Sequence, residues 1–219
     1  MRNLFLILLI VFFIKEAFSQ QELRLPLPSR KGEVSLEETI SQRSSIRQYK
    51  EQPLSLKEVS QLLWACAGGV DGVTQATRVY PSAGALYPEN FYIVVNKVSG
   101  LDKGIYKYNW QSHSLKPIKK GDFSSSLARA CFSQSMPKKA SISIIFTAEP
   151  EKIFSYYGRR GEALYLPLEI GTSCENLHLQ AQALGLGTVM ISAFSEEKVK
   201  KILGIEERIY CIMPIGRRY

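Results

Sequence analysis

The sequence has few of the side chains that most often bind metals or form catalytic triads. It contains only two histidines, His113 and His178, among 219 residues. The first lies in a polar, hairpin-like segment and the second in a helical pattern, so neither predicts a metal site or a Ser-His-Asp arrangement. The four cysteines are widely spaced: Cys66, Cys131, Cys174 and Cys211. No pair of cysteines has metal-ligand spacing, so we expect buried free thiols, although export would allow some to pair.

Long blocks of like charge are also absent, although the chain is basic. Lysine and arginine number 28 against 20 aspartates and glutamates, which gives a formal net charge of +8. Because these cations are scattered, binding to nucleic acid is not expected, whereas an anionic ligand or surface suits the charge. No repeat or low-complexity tract occurs, and 45% hydrophobic residues support a single domain with a substantial core.

Long apolar runs are confined to the first residues. Arg2 precedes an uninterrupted apolar run over residues 4–14, and Ala17-Phe18-Ser19 has small residues at cleavage spacing. The run is too short for a comfortable membrane span. Residues 1–19 are therefore predicted to be a signal peptide that exports the chain to the periplasm or the cell exterior. An uncleaved membrane anchor is the alternative, because Lys15-Glu16 lies inside the cleavage region.

An extended N-terminal arm, residues 20–34, is predicted to run over the surface or over a partner. One α+β domain, residues 35–219, follows it. Two capping boxes, Ser35-Leu36-Glu37-Glu38 and Ser55-Leu56-Lys57-Glu58, predict the starts of helices. The first of these helices is expected to run through Ile40.

A long helix is predicted in the second half of the chain. Residues 156–161 are rich in tyrosine, glycine and arginine and are expected to interrupt the regular secondary structure. The long helix then runs from Glu162 to Leu184. Its residues are small or apolar nearly all round. Such a helix must be buried on more than one side, either centrally or against a second subunit.

Two arginines bracket two serines in the stretch Arg43-Ser44-Ser45-Ile46-Arg47. If the backbone is extended, the side chains at positions 43, 45 and 47 share one face. Guanidinium groups bind phosphate through two parallel hydrogen bonds, and serine adds a donor. The stretch therefore predicts a phosphate site, with a solvated basic turn as the alternative.

A loop with almost no side chains leads into a buried strand. Pro81 and Pro88 bracket it and exclude a helix interior. Between the prolines, Ser82-Ala83-Gly84-Ala85 would let a flat ligand approach the backbone N–H groups within hydrogen-bond distance. The alternative is an ordinary turn that precedes a core strand.

Further motifs occur in a fixed order along the chain: Leu62-Leu63-Trp64-Ala65, Arg78 with Pro81–Pro88, Glu175-Asn176-Leu177-x-Leu179-Gln180-Ala181, and Met213-Pro214-Ile215-Gly216-Arg217. With the arginine-serine stretch, this series resembles the flavin-dependent nitroreductase superfamily from about Leu25 to the end. Within it, the chain is most similar to the branch that includes the azoline dehydrogenases of thiazole- and oxazole-modified peptides. The resemblance implies an α+β, nitroreductase-like fold with a central antiparallel or mixed sheet flanked by helices. It also implies FMN held without a covalent bond at a homodimer interface.

The same resemblance assigns cofactor contacts to residues of this chain. Arg43, Ser44 and Ser45 would meet the phosphate and ribityl end, with Arg47 nearer the ring. Pro81, Ser82, Ala83, Gly84 and Ala85 would lie along the isoalloxazine. Met190, Ile191, Ser192 and Ala193 would line the other side of the ring, with a backbone N–H near Ala193 facing N5. Arg217 would contact the phosphate, and Arg218 would share this role.

The sequence departs from the family pattern at two places. Ala85 stands where many members have asparagine, which removes one side-chain bond to the ring. Tyr156-Tyr157 stands where the azoline dehydrogenases have a lysine-tyrosine pair. Tyr157 remains a candidate for donating or accepting a proton, with packing at a dimer interface as the alternative.

The resemblance therefore predicts an FMN-dependent oxidoreductase that passes electrons in a ping-pong cycle between one substrate and another. A small molecule or a peptide is the expected substrate, and export would make NAD(P)H a less suitable donor. A flavin-binding protein without turnover and an azoline-type dehydrogenase are the alternatives. A basic surface-binding module without cofactor is favoured only by the net charge.

Overall fold

The structure of the chain is a computed structural model that describes residues 22–70 and 77–219. The predicted signal peptide, residues 1–19, lies outside the described residues. None of the helices within the described ranges is long and apolar enough to cross a membrane.

The helices occupy the segments that connect the strands. They are α1 (Leu36–Gln42), α2 (Leu56–Ala67), α3 (Ser124–Ala130), α4 (Met136–Lys139), α5 (Pro150–Arg160), α6 (Leu166–Ala183) and α7 (Glu196–Leu203). A short 3-10 turn covers Ala83–Ala85, and a π-helical turn, Gly161–Tyr165, joins α5 to α6.

The strands are β1 (Leu23–Arg24), β2 (Leu54–Ser55), β3 (Glu89–Val95), β4 (Val98–Ser99), β5 (Gly104–Asn109), β6 (Ser114–Lys120), β7 (Ile142–Ala148), β8 (Leu186–Thr188) and β9 (Arg208–Arg217). One sheet has the order β1-β6-β5-β3-β7-β9-β8, and its neighbours pair antiparallel. A small second sheet pairs β2 with β4 in parallel. This arrangement of a central sheet and flanking helices is the predicted α+β architecture.

The central strands are buried on both faces. In β7 every residue is buried, and its alternate side chains enter two different apolar clusters. Ile144 packs with side chains of α2 and α6, whereas Ile145 packs with side chains of α3 and α7. Because successive side chains of a strand point to opposite faces, the sheet separates two helical layers.

Ser35 and Ser55 begin helices as predicted, and the pair Ser55 and Glu58 forms a complete capping box. The Ser55 side chain accepts the backbone N–H of Glu58 at 3.3 Å, and the Glu58 carboxylate accepts the N–H of Ser55 at 2.8 Å. The Ser35 side chain accepts the N–H of Glu38 at 3.1 Å. These bonds satisfy backbone donors that the first helical turn leaves without partners. Helix α1 ends at Gln42, two residues later than expected.

The predicted long helix is shorter than expected and is preceded by a second helix. The structure places α5 where an interruption was expected, with Gly158 in a non-helical conformation (φ 59°, ψ −152°) near its end. The π-helical turn follows, and α6 begins only at Leu166. Pro167 lies in the first turn of α6, directly after the π-helical turn.

The described part of the N-terminal arm lies on the chain's own hairpin. Leu23 and Arg24 pair with β6. The carbonyl oxygen of Pro26 accepts the hydroxyl of Ser60 at 2.5 Å and faces Nε2 of His113 at 3.1 Å. The arm is therefore held by backbone pairing at its start and by side chains of α2 and the hairpin further along.

Candidate functional site

The arginine-serine segment, residues 43–47, follows α1 and is fixed through its backbone. The Ile46 N–H donates to the Thr188 carbonyl at 2.9 Å, and His178 Nε2 lies 3.1 Å from the Ser44 carbonyl oxygen. A β-carbon on Gly187 would lie 2.5 Å from Cγ2 of Ile46, so Gly187 admits the Ile46 side chain against β8. This packing leaves the side chains of Ser44, Ser45 and Arg47 exposed.

Cationic side chains collect beside this segment. Arg43 Nε lies 3.9 Å from Glu175 Oε1, a loose pair that is largely open to solvent. Arg218 Nη1 donates to Gln182 Oε1 at 2.6 Å, and its Cγ lies 3.3 Å from the β-carbon position of Gly187. Arg218 therefore lies next to the predicted phosphate segment, to which Arg43 and Arg47 belong.

Arg217 points away from its neighbour Arg218 and has a partner within the fold. Its guanidinium makes a two-point contact with the Glu58 carboxylate, at 2.7 and 2.9 Å. The same carboxylate closes the capping box of α2. The expected phosphate contact of Arg217 remains a prediction, since a phosphate would have to compete with this carboxylate.

The predicted flavin-facing stretch, residues 190–193, follows β8 directly. Ile191 is buried and exchanges two backbone hydrogen bonds with Ile212 at 2.8 and 2.9 Å. Met190 is half exposed, and Ser192 and Ala193 are exposed. Because Thr188 also binds Ile46, this stretch and residues 43–47 are neighbours in space.

The small-residue bend, Pro81–Ala85, is hydrogen-bonded to helix α6. Glu169 accepts the Ser82 hydroxyl at 2.9 Å and the Ala83 N–H at 2.7 Å. Gly84 and Ala85 have positive φ angles of 60° and 54° and are exposed. The bend therefore presents backbone and small side chains outward, as the sequence predicts for a surface that receives a flat ligand.

Tyr157 covers one end of this bend. A β-carbon on Gly84 would lie 2.9 Å from the Tyr157 hydroxyl oxygen. The Tyr157 ring meets Tyr165 edge to face, with centroids 5.4 Å apart. Its side chain is 40% exposed, whereas Tyr156 is 73% exposed. The predicted proton-transfer candidate is thus at the predicted flavin-facing loop, packed against an aromatic neighbour.

Two buried carboxyl groups beneath the bend were not predicted. Glu89 and Glu169 are both buried, and the Tyr80 hydroxyl donates to Glu89 Oε2 at 2.8 Å. Burial and the neighbouring Glu169 raise the pKa of Glu89 to about 8. A sequence signal existed for Glu169, which interrupts an otherwise apolar segment, but its meaning depends on a contact with a distant part of the chain.

Within one chain, the predicted site residues form two separate groups on opposite sides of α6. Glu169 contacts the bend, and His178 contacts Ser44. These two residues are nine positions apart, which in an α-helix is a rotation of about 900°, or two and a half turns, so their side chains point to opposite sides. The first group contains Arg43, Ser44, Ser45, Arg47, Met190, Ile191, Ser192, Ala193 and Arg218. The second contains Pro81, Ser82, Ala83, Gly84, Ala85 and Tyr157.

The residues of both groups fit the chemistry of FMN. Exposed guanidinium and hydroxyl groups suit a phosphate dianion. The exposed bend at Gly84 suits a flat ring, because its small side chains leave the backbone accessible. Across residues 22–70 and 77–219 there is no cluster of three or more histidine, cysteine or acidic side chains that could hold a metal ion.

Comparison with known proteins identifies the family to which the chain is similar. The profile described as the nitroreductase family matches residues 40–217. A nitroreductase-named protein of Methanocaldococcus jannaschii, MJ1384, is 37% identical over 186 residues, which cover 85% of this chain and 92% of that protein. A crystal structure of a nitroreductase from Anabaena variabilis has a TM-score of 0.81 at 27% identity, covering 91% of this chain and 42% of that one.

Two more distant relatives come from Rhizobium leguminosarum bv. trifolii. The trifolitoxin-processing protein TfxB is 28% identical over 170 residues, which cover 73% of this chain, and the trifolitoxin operon protein TfxC is 24% identical over 201 residues, which cover 84%. The chain spans 46% and 56% of these two proteins, about half of their length. A nitroreductase from Desulfovibrio desulfuricans, solved in complex with FMN, shares the fold with a TM-score of 0.59 at 17% identity, over 84% of this chain and 87% of that one.

Proposed function

Because the chain belongs to the nitroreductase family, we propose that it is an FMN-dependent oxidoreductase that works as a homodimer. The family and the fold expected from the motifs are confirmed. The resemblance to peptide-modifying members is supported by the two trifolitoxin proteins. The donor, the acceptor and the ping-pong order belong to the proposal.

The separation of the two residue groups by α6 carries the proposal of a dimer. One chain presents the arginine-serine segment on one side of this helix and the bend on the other. A single cofactor can meet both groups if the bend of one protomer faces the arginines of its partner. Leu168, 60% exposed on the outward face of α6, supplies apolar surface for such an interface.

Each group of residues has a separate task in this arrangement. Arg43, Arg47 and Arg218 neutralise the phosphate and orient it, while Ser44 and Ser45 donate hydrogen bonds. The bend, Pro81–Ala85, excludes water from one face of the ring, and Tyr157 holds a hydroxyl proton at its edge. When bound, FMN would supply the electron-accepting chemistry, so the chain needs no catalytic triad.

A peptide azoline is the second candidate substrate, because the relatives TfxB and TfxC carry trifolitoxin in their names. The pair Tyr156-Tyr157 lacks the lysine of the azoline dehydrogenases, which weighs against this chemistry. A flavin carrier without turnover is the remaining alternative, favoured by Ala85. Export on the predicted leader remains part of the proposal, and with it a donor other than NAD(P)H.

A mixed dimer tests the proposal sharply. Two variants, Arg47→Glu and Gly84→Val, are each expected to lose FMN as homodimers. If the site combines the arginines of one protomer with the bend of the other, a mixed dimer of the two variants contains one intact site and retains roughly half of the wild-type FMN. If the site lies within one chain, the mixed dimer binds none.

The measurement is the flavin absorbance per dimer, after purification through two different affinity tags and addition of FMN. Reoxidation assays with small-molecule acceptors and with azoline peptides then separate the candidate activities. A colourless wild-type protein that binds no added FMN would contradict the proposal.

A further inference from the structure

Two carboxyl groups meet in the interior, below the bend. Glu89 begins β3 and is 1% exposed, and Glu169 lies in α6 and is 6% exposed. The two carboxyl groups are neighbours, and Oε1 of Glu89 is buried without a hydrogen-bond partner. Since two buried carboxylates side by side repel each other and neither can donate, a proton on one of them removes a charge and supplies the missing donor.

The cation nearest to Glu89, Arg78, bonds its backbone carbonyl rather than its carboxyl. The Tyr80 hydroxyl donates to Glu89 Oε2 at 2.8 Å. Arg78 Nη1 donates to the Tyr80 hydroxyl at 3.1 Å and to the backbone carbonyl of Glu89 at 3.2 Å. From β9, the hydroxyl of Tyr210 is buried without a hydrogen-bond partner in the described structure. With Glu169 from α6, these are the titratable and charged groups that face Glu89.

The hydrogen bonds decide which acid carries the proton. Glu169 accepts two donors from the bend, the Ser82 hydroxyl and the Ala83 N–H, and such bonds favour the ionised form. Glu89 accepts the Tyr80 hydroxyl through Oε2, and its Oε1 is buried without a hydrogen-bond partner. Burial and the adjacent Glu169 raise the pKa of Glu89 to about 8, which agrees with a proton on Glu89 at neutral pH.

We propose that Glu89 and Glu169 share a single proton, and that this protonated pair positions the Ser82–Ala85 part of the bend. The proton on Glu89 bonds to Glu169, and the ionised Glu169 fixes the Ala83 N–H and the Ser82 hydroxyl. Loss of the proton places two negative charges side by side and repels Glu169 from its place under the bend. That the bend faces a flavin rests on the proposed function; that the pair holds one proton does not.

The test compares Glu89→Gln and Glu169→Gln with the exposed control Glu197→Gln. Infrared spectra recorded from pH 5 to pH 10 follow the C=O band of protonated carboxylic acid. The wild type and Glu197→Gln are expected to lose a band as the pH rises through about 8. Glu89→Gln is expected to lack this band. In Glu169→Gln the band is expected to disappear at a lower pH than in the wild type.

Hydrogen exchange of the peptide covering residues 81–88 reports the position of the bend. In Glu169→Gln the Ala83 N–H loses its bond to a carboxylate, so its exchange is expected to be on the order of tenfold faster than in the wild type at the same pH. Glu89→Gln keeps a neutral donor facing Glu169 and is expected to retain protection above pH 8. In the wild type, protection falls above that pH relative to the same peptide in Glu89→Gln.

A wild-type spectrum without an acid band near neutral pH would overturn the proposal, as would unchanged exchange of the bend in Glu169→Gln. Both measurements use the protein without added flavin. Absence of FMN binding would therefore contradict the proposed function only. The infrared spectra and the hydrogen exchange decide separately whether the two acids share a proton.

Discussion

The hydroxyl of Tyr157 lies 2.9 Å from the position that a β-carbon would occupy on Gly84. Gly84 also has a φ angle of 60°, which L-residues adopt at a cost. Two independent constraints therefore act on one glycine: its backbone conformation and its contact with the aromatic end of α5. Substitutions can separate these constraints, because Gly100 also has a positive φ angle but has no atom near its β-carbon position.

Gly84→Ala is expected to lower the free energy of unfolding by about 1 to 2 kcal/mol through backbone strain, and to displace Tyr157 in addition. Gly100→Ala is the matched control, since Gly100 has a φ of 77° and no atom within 4 Å of its β-carbon position. Chemical denaturation measures the strain, and flavin content measures the displacement. Equal flavin retention by the two variants would show that Tyr157 does not shape the site.

Arg43→Ala is expected to weaken FMN binding by about 2 kcal/mol, because a charge-assisted contact to the phosphate is lost. Folding should change little, since the Arg43–Glu175 pair is long and largely exposed. Arg129→Ala, an exposed arginine on α3, is the control for a general change of charge. Titration calorimetry with FMN measures the difference, and equal affinities for the two variants would remove Arg43 from the phosphate site.

Arg217→Ala is expected to lower the free energy of unfolding by about 1 to 2 kcal/mol, because its two-point bond to Glu58 supports the first turn of α2. A double-mutant cycle with Glu58→Gln should show coupling between the two positions. Denaturant unfolding supplies all four free energies. Additive effects together with a large loss of FMN affinity in Arg217→Ala would instead favour the phosphate contact expected from the sequence.

The attachment of the N-terminal arm is expected to depend on pH through His113. Its Nδ1 lies 2.8 Å from the Tyr108 hydroxyl, and its Nε2 lies 2.7 Å from the Ser60 hydroxyl and 3.1 Å from the Pro26 carbonyl. Burial lowers the pKa of His113, and the nearby Arg30 acts in the same direction. The folded state therefore favours the neutral ring.

The lowered pKa of His113 determines how stability depends on pH. A histidine whose pKa is lowered on folding stabilises the protein above its unfolded pKa of about 6.5, and this contribution is lost as the pH falls below that value. Hydrogen exchange of residues 22–30 is expected to speed up over this acidic range in the wild type. His113→Gln should show a much smaller change, and an identical pH profile in both proteins would contradict the assignment.

The four cysteines are expected to resist thiol reagents in the native protein at pH 8. All are buried, Cys174 and Cys211 lie with their sulfur atoms 3.2 Å apart, and burial raises the pKa of Cys131 to about 11. Thiolate is the reactive form, so both access and ionisation oppose modification. Four thiols should react after unfolding; a count of two would reveal a disulfide, with Cys174 and Cys211 as the adjacent pair.

The sequence predicted those parts of the fold that depend on neighbouring residues. Ser55 and Glu58 are three positions apart, and this local pattern alone predicts the start of a helix. The small residues around Gly84 likewise predict an exposed bend. In the arginine-serine segment, Ile46 packs against Gly187 and the side chains of Ser44, Ser45 and Arg47 are exposed.

The remainder depends on contacts between distant residues. The second half of α5 was expected to be an interruption, because Gly158 and the tyrosines break the helical pattern locally, whereas the buried side chain of Ile153 holds that helix in place. The pairing of Glu89 with Glu169 joins residues that are 80 positions apart. The opposite orientation of the two site groups follows from the rotation of α6, which no single motif encodes.

The edge position of the N-terminal arm has a practical consequence. Glu22 accepts hydrogen bonds from Ser112 and Ser114, which fixes the start of the described chain at one border of the main sheet, beside β6. The opposite border is β8, against which residues 43–47 lie. A tether or carrier attached at Glu22 thus begins across the full width of the sheet from those arginines, which makes this edge of the sheet suitable for surface immobilisation.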